Sequence, residues 1–199
     1  MGISLAWISV KGKIKDTVLQ QLQLVATGEE GEFFRFPIAG KAQNDGALII
    51  TAMRCDHYII QEKTLDILSE ECTIIACSVE EHVNYSSVAL WRNGTKNWSV
   101  EHRGDFSPGH LTVIGTPEGL DAIRHTLPKG EPEVDYYFDI PLLIARQLTG
   151  FKHDENQLGT DREFQELRPV SPVGAQPWWK FWRSTPFQAG ATRRSACPR

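Results

Sequence analysis

Continuous apolar runs and apolar residues at helical spacing predict most of the secondary structure of the first half of the chain. The segments ISLAWISV (3–10), GALIITAM (46–53) and CTIIACSV (72–79) are rich in β-forming residues and predict strands. The third has almost no polar interruption, which indicates an interior strand covered on both faces. Apolar residues recur at helical spacing in TVLQQLQLV (17–25) and EKTLDILSEE (62–71), and these segments predict two short helices.

The segment SSVALWRNGTKNWSVEH (86–102) predicts a β-hairpin. Asn93 and Gly94 stand between two strand-like runs, and this dipeptide is the preferred chemistry for a tight hairpin turn. Because opposed residues of paired strands share a face, we expect Trp91 and Trp98 to emerge on the same face of the hairpin.

The next part of the chain predicts one more strand and two more helices. HLTVIG (110–115) predicts the strand, and TPEGLDAIRHTL (116–127) and FDIPLLIARQLTG (138–150) predict the helices, whereas residues 27–46 are loop-like. The hairpin requires antiparallel pairing. We therefore expect a single α+β domain over residues 1–155, with a mixed or antiparallel sheet of about five to six strands and helices mainly on one face.

Residues 156–199 differ in composition and predict a linker followed by a disordered C-terminal tail. The tail contains the segment PWWKFWR, in which Trp178, Trp179, Lys180 and Trp182 resemble an interfacial anchor of indoles beside cations. Three roles stay open for this segment: docking back onto the domain, contact with lipid or a partner, and no role.

Charge is distributed unevenly and narrows the class of partner. The chain has 21 basic and 25 acidic residues; five of the basic residues and no acid lie beyond residue 170, so the first 170 residues carry 16 − 25 = −9. An acidic body argues against nucleic acid, because duplex binding requires a basic face that neutralises phosphates. It is compatible with a basic protein partner.

Cysteine usage and hydropathy predict a cytoplasmic location. The four cysteines show no CxxC spacing, no segment reads as a signal peptide, and no apolar run reaches the length of a membrane span. We expect a reducing cytoplasm, with peripheral membrane contact only through the tail.

Motifs of catalysis and of cofactor binding are absent from the sequence. GxSxG, GxGxxG, GxxxxGK and HExxH do not occur, so we predict no catalytic residue, no cofactor and no metal. Cys77 and Ser78 lie inside a predicted buried strand, which indicates a packing role. The alternative is a metal-dependent enzyme or metal-binding protein in which two strand ends meet, centred on the set Asp56, His57, Glu80 and His82.

Aromatic residues close to acids indicate a surface that binds a basic protein. The candidate partner contacts are Asp56, His57, Glu80, Glu81, His82 and Trp91.

Five motifs occur in order along the chain: RCDH (54–57), ACSVEEHVNYSS (76–87), WRNGTKNWSVEH (91–102), VDYYFDIP (134–141) and GFKHDE (150–155). In these motifs the chain resembles a family of small bacterial proteins of uncharacterised activity, over roughly residues 1–155. In size, acidity and lack of catalytic motifs it is also similar in character to immunity proteins of bacterial toxin systems. We therefore expect a cytoplasmic protein-binding protein, with an immunity role as the specific form and a tail-anchored accessory protein as a further alternative.

Overall fold

A computed structural model describes residues 2–107, 109–128, 135–155 and 164–170. Within them the chain forms nine strands and four α-helices. The strands are β1 Ser4–Lys11, β2 Leu24–Gly31, β3 Ile38–Ala42, β4 Leu48–Ala52, β5 Thr73–Glu80, β6 Tyr85–Arg92, β7 Thr95–Arg103, β8 Thr112–Ile114 and β9 Phe164–Pro169. The helices are α1 Lys15–Gln21, α2 Glu62–Leu68, α3 Leu120–Thr126 and α4 Asp139–Thr149.

All nine strands belong to one antiparallel sheet, in the order β2-β9-β3-β4-β1-β5-β6-β7-β8. The α+β class is therefore confirmed, although the fold is mostly sheet and the strand count exceeds the predicted five to six. The extra strands are β2, β3 and β9. Part of β2 was expected to be helix and the rest of β2 and β3 to be loop, and β9 falls in the segment 156–199 that was expected to be linker and tail.

The helices do not lie mainly on one face, as expected from the sequence, but cover both faces of the sheet. On one face α3 and α4 bury Leu120, Ile123 and Ile144 against Trp7 and neighbouring residues. On the other face α1 and α2 pack onto a second core cluster, which contains the residues Val18, Leu19, Leu65, Leu68, Ile8, Val10, Ile50 and Ile74. Both faces of the central strands are therefore covered, and six consecutive residues of β5 are buried, as its unbroken apolar run predicts.

The predicted hairpin is present, but its two tryptophans lie on opposite faces of the sheet. Asn93 and Gly94 form a two-residue turn with φ values of 49° and 72°, the left-handed geometry that a tight hairpin needs. Leu90 pairs with Trp98 and Trp91 pairs with Lys96, which leaves one extra residue in β7. This bulge reverses the side-chain alternation, so the expectation that Trp91 and Trp98 share a face is wrong.

Among the described residues, no helix combines the length and the apolar character that crossing a bilayer requires.

Candidate functional site

The antiparallel topology collects acidic residues at one end of the sheet. Glu80 at the end of β5 pairs with Ser4 at the start of β1 and with Tyr85 at the start of β6, and Tyr85 pairs with Arg103 at the end of β7. We call this region the acidic sheet end, and its charged residues are Arg54, Asp56, Glu80, Glu81, Glu101, Arg103 and Asp105.

Glu80 is held by a short polar network at the end of β5. Its Oε1 lies 2.7 Å from His82 Nδ1 and also accepts the His82 backbone N–H at 3.4 Å. The Ser4 hydroxyl bonds to the same carboxylate and accepts the backbone N–H of Cys55 at 3.1 Å. Burial alone would raise the pKa of Glu80, but the hydrogen bonds from Ser4 and His82 outweigh it and hold the pKa below its ordinary value. Glu80 is therefore an ordered anion.

Glu81 is held in the same way by two donors from distant parts of the chain. Its Oε2 accepts the backbone N–H of Ile3 at 2.8 Å, and its Oε1 lies 3.2 Å from His153 Nε2. The His153 side chain is 3% exposed and its ring lies against Trp7, with centroids 6.0 Å apart, whereas the Glu81 side chain is 36% exposed. Glu81 thus presents a fixed carboxylate to solvent while it ties the segment after α4 to the sheet end.

The loop that contains Cys55 reaches the end of β5 although β1 lies between β4 and β5. Ser78 donates a 2.6 Å hydrogen bond to the Cys55 carbonyl, and Ser4 accepts the Cys55 N–H. The RCDH segment thus approaches the end of β5 through backbone groups of Cys55, although β4 and β5 are not adjacent in the sheet.

The side chains of Asp56 and His57 do not join Glu80 and His82. Asp56 forms a two-point ion pair with Arg54, with both N–O distances 3.0 Å. The His57 ring lies against Tyr58, with centroids 4.5 Å apart and the ring planes tilted by 41°. Burial, followed by the nearby Arg54 charge, lowers the pKa of His57 to about 4. His57 is a neutral, half-buried residue, which makes it a poor contact for a basic partner.

Trp91 cannot be a partner contact in this fold, contrary to the expectation from the sequence. It is 4% exposed and packs in the core cluster beneath α1 and α2. It also pairs with Ile74, six residues along β5 from Glu80, which corresponds to about 20 Å of extended chain. The bulge in β7 explains its burial only in part; the larger reason is that α2 covers this end of the hairpin.

The acidic sheet end carries a surplus of negative charge. Its five acids and two arginines give 2 − 5 = −3 with neutral histidines. Each arginine is already paired with an aspartate two residues along the chain: Arg54 with Asp56 and Arg103 with Asp105, the latter with a closest distance of 3.0 Å. Among the ion pairs of the described residues, none joins a lysine or an arginine to the three glutamates of this end. Glu80, Glu81 and Glu101 are therefore not neutralised by a direct lysine or arginine ion pair, although the charge of Arg103 acts on Glu101 electrostatically.

Metal binding receives no support from the arrangement of side chains. Within the described ranges, no three His, Cys, Asp or Glu residues come together in a way that could hold a metal ion. The four residues of the metal alternative do not come together: Asp56 pairs with Arg54, Glu80 pairs with His82, and the His57 ring lies against Tyr58.

Cys77 and Ser78 have the packing role that their strand predicts. Both are about 1% exposed in β5, and burial raises the pKa of the Cys77 thiol well above its ordinary value. The Ser78 hydroxyl donates its hydrogen bond to the Cys55 carbonyl. Neither side chain offers a nucleophile to a substrate.

A serine, a histidine and an aspartate do meet in the interior, and the sequence analysis did not identify this group. Ser86 pairs with His102 across β6 and β7, and His102 Nε2 lies 3.0 Å from Asp135 Oδ2. His102 Nδ1 lies 2.7 Å from the His110 carbonyl, so both ring nitrogens face oxygens other than Ser86 Oγ. Ser86 instead donates to the Phe138 carbonyl at 2.6 Å. Because Ser86 and His102 are fully buried, this group anchors the start of α4 and is not arranged as a catalytic triad.

The tail residues proposed as an anchor, Trp178, Trp179, Lys180 and Trp182, lie outside the described residues. The sequence also gives no indication that the Ser4 hydroxyl donates a hydrogen bond to the Glu80 carboxylate. The position of Ser4 opposite Glu80 follows only from the register of β1 and β5, which local sequence does not specify.

Comparison with known proteins adds no relative: no protein-family model, curated protein or solved structure matches the chain.

Proposed function

We propose that this protein acts by binding a basic protein partner through the acidic sheet end. The observation that carries the proposal is the surplus of three glutamates, Glu80, Glu81 and Glu101, beside two arginines that are already paired. Complementary charge across an interface steers the encounter of the two proteins and disfavours partners of like charge.

The carboxylates are suited to this role because they are ordered before a partner arrives. Ser4 and His82 fix the Glu80 carboxylate, and the Ile3 N–H and His153 fix that of Glu81. Glu101 lies 3.4 Å from the Tyr85 hydroxyl. A carboxylate that is already ordered loses little side-chain entropy when a lysine or arginine binds it. Each carboxylate also has about four lone-pair positions, so these internal contacts leave room for further donors.

The specific form of the proposal is a cytoplasmic immunity protein that blocks a basic toxin. A toxin that acts on nucleic acid has a basic active site, because it must neutralise phosphates. An acidic surface on a small protein without a catalytic motif is suited to cover such a site. The support for this form is the net charge and size of the chain together with the location of the three glutamates.

Binding of a defined basic probe tests the general proposal. A fluorescein-labelled peptide of ten lysines is titrated with the protein at low ionic strength, and its anisotropy is followed. We expect the double variant Glu81→Gln/Glu101→Gln to weaken binding about thirtyfold, because each of the two lost charges removes roughly 1 kcal/mol at contact distance in water. We also expect the affinity to fall as salt is added.

A matched control uses acids at the edge of the sheet far from the site. The variant Glu29→Gln/Glu30→Gln removes the same charge from β2, where both side chains are exposed. Equal weakening by the two double variants would show that the probe responds only to net charge, and the proposal would fail. For the immunity form, the purified product of the neighbouring reading frame replaces the peptide; lack of binding by that product would remove this form.

A further inference from the structure

Two glutamates of the acidic sheet end, Glu80 and Glu81, are paired with histidine and not with lysine or arginine. Glu80 is paired with His82 at 2.7 Å and Glu81 with His153 at 3.2 Å. A lysine or arginine partner would neutralise these carboxylates at every physiological pH. A histidine neutralises a carboxylate only when it is protonated, and imidazole is the side chain whose charge changes close to neutral pH.

The two histidines differ in their access to solvent. The His82 side chain is 61% exposed, while the Glu80 side chain below it is 14% exposed. His153 is buried beside Trp7, and Lys152 and Asp154 are its charged neighbours in sequence, with Asp154 interacting with it electrostatically. His82 therefore exchanges protons directly with solvent, and its charge lies at the surface where a partner would dock.

The contacts of His82 hold its ring over the Glu80 carboxylate. Backbone packing is close on the side of the N-terminal segment: a Cβ atom on Gly2 would lie 3.1 Å from both Cε1 and Nδ1 of the His82 ring. Glu80 is the charged group within hydrogen-bond distance of the ring, and Glu81, whose Cβ lies beside the same glycine, is the next carboxylate along the chain. The imidazole is thus placed to alternate between a neutral donor and a positive counter-ion of Glu80.

We propose that His82 is a protonation-controlled counter-ion that weakens docking of a basic partner at acidic pH. This inference depends on the proposed function, since it concerns the same surface. When His82 is neutral, the surface keeps its full negative charge and binds a cationic face. When His82 is protonated, its charge cancels that of Glu80 and repels the partner's cations. A single charge about 6 Å from a partner cation in water changes the affinity about threefold.

The test measures the affinity for the ten-lysine peptide at pH 7.5 and pH 5.5, in the wild-type protein and in His82→Gln. Glutamine keeps an N–H donor for Glu80 and does not titrate. We expect the wild-type affinity to fall at least threefold between pH 7.5 and pH 5.5. The corresponding fold-change in His82→Gln should be smaller by a factor of about three. The probe itself stays fully charged over this range, because lysine titrates near pH 10.4.

Two controls isolate the histidine. His125→Gln removes an exposed histidine on α3 and is expected to behave like the wild type. Far-UV circular dichroism at both pH values shows that each variant is folded. His110, which lies at the same end of the sheet with its ring bonded to the Arg103 N–H and to Thr112, is present in every variant, so its contribution cancels.

The possible outcomes separate the two proposals. Absence of binding at both pH values would overturn the proposed function together with this inference. Binding at pH 7.5 with the same pH dependence in the wild type and in His82→Gln would overturn the inference about His82 and leave the proposed function standing. A smaller pH dependence in His82→Gln than in His125→Gln is the result that supports it.

Discussion

Protonation of His57 is expected to make folding stability fall at mildly acidic pH. His57 follows β4, is half-buried, and its ring lies against Tyr58. Burial, reinforced by the nearby charge of Arg54, lowers its pKa from 6.5 to about 4, while the neighbouring acid Asp56 offsets part of this shift. The folded state therefore disfavours the imidazolium form that an unfolded chain accepts freely.

The sign and the size of the effect follow from this difference in pKa. Above pH 6.5 the histidine is neutral in both states, and its contribution to stability is fully present. As the pH falls from 6.5 toward 4, the unfolded state binds a proton that the folded state does not, so stability is lost. Between pH 7 and pH 5 this single group lowers the free energy of unfolding by about 2 kcal/mol.

Urea unfolding at pH 7 and pH 5 measures this loss in the wild type, in His57→Asn and in the exposed-histidine control His125→Gln. We expect His57→Asn to lose about 2 kcal/mol less than the other two proteins on acidification. Loss of the ring contact with Tyr58 changes the stability of His57→Asn at both pH values and cancels in the comparison. If the wild type and His57→Asn lost the same free energy, the inference that His57 is neutral because it is buried would be wrong.

Two further predictions concern packing and turn geometry. Leu142→Ala truncates a fully buried side chain of α4 and is expected to lower the free energy of unfolding by about 2 to 5 kcal/mol. Leu148 on the same helix is 37% exposed, and Leu148→Ala should lower the free energy of unfolding by less than about 1 kcal/mol. Equal losses in urea unfolding would contradict the placement of α4. Gly94→Ala is expected to lower the free energy of unfolding by about 1 kcal/mol, because φ is 72° at this turn position. Gly109 has no positive φ and open space where a Cβ would lie, so Gly109→Ala should leave thermal unfolding unchanged. A neutral Gly94→Ala would refute the assigned turn.

The interior of the sheet can be predicted from the sequence because its strands are buried on both faces. The runs that became β1, β4 and β5 are nearly continuous in apolar residues, and the Asn93-Gly94 turn has a chemistry that few other structures use. The edge strand β2 gives no such signal. Four consecutive residues of β2 are exposed, namely Thr27, Gly28, Glu29 and Glu30. Acids on an edge strand protect it from pairing with other chains.

The candidate site could be predicted only in part, because its contacts depend on register and on distant segments. The sequence identifies Glu80, Glu81 and His82 as a strand end that meets water. It does not indicate that His153, more than 70 residues later, lies against Glu81. The assignment of Trp91 to the surface fails for a local reason, since a one-residue bulge and the cover provided by α2 cannot be read from alternation alone.

The position of β9 has a consequence for how the chain assembles during synthesis. β2 pairs only with β9 among the described strands, and β9 lies between β2 and β3 although it is the last strand in the sequence. A ribosome that adds about 5 to 20 residues per second needs roughly 7 to 27 seconds to reach β9 after it has completed β2. During that interval the nascent chain exposes the backbone of β2 and one edge of β3, so this side of the sheet can close only as a late, long-range step of folding.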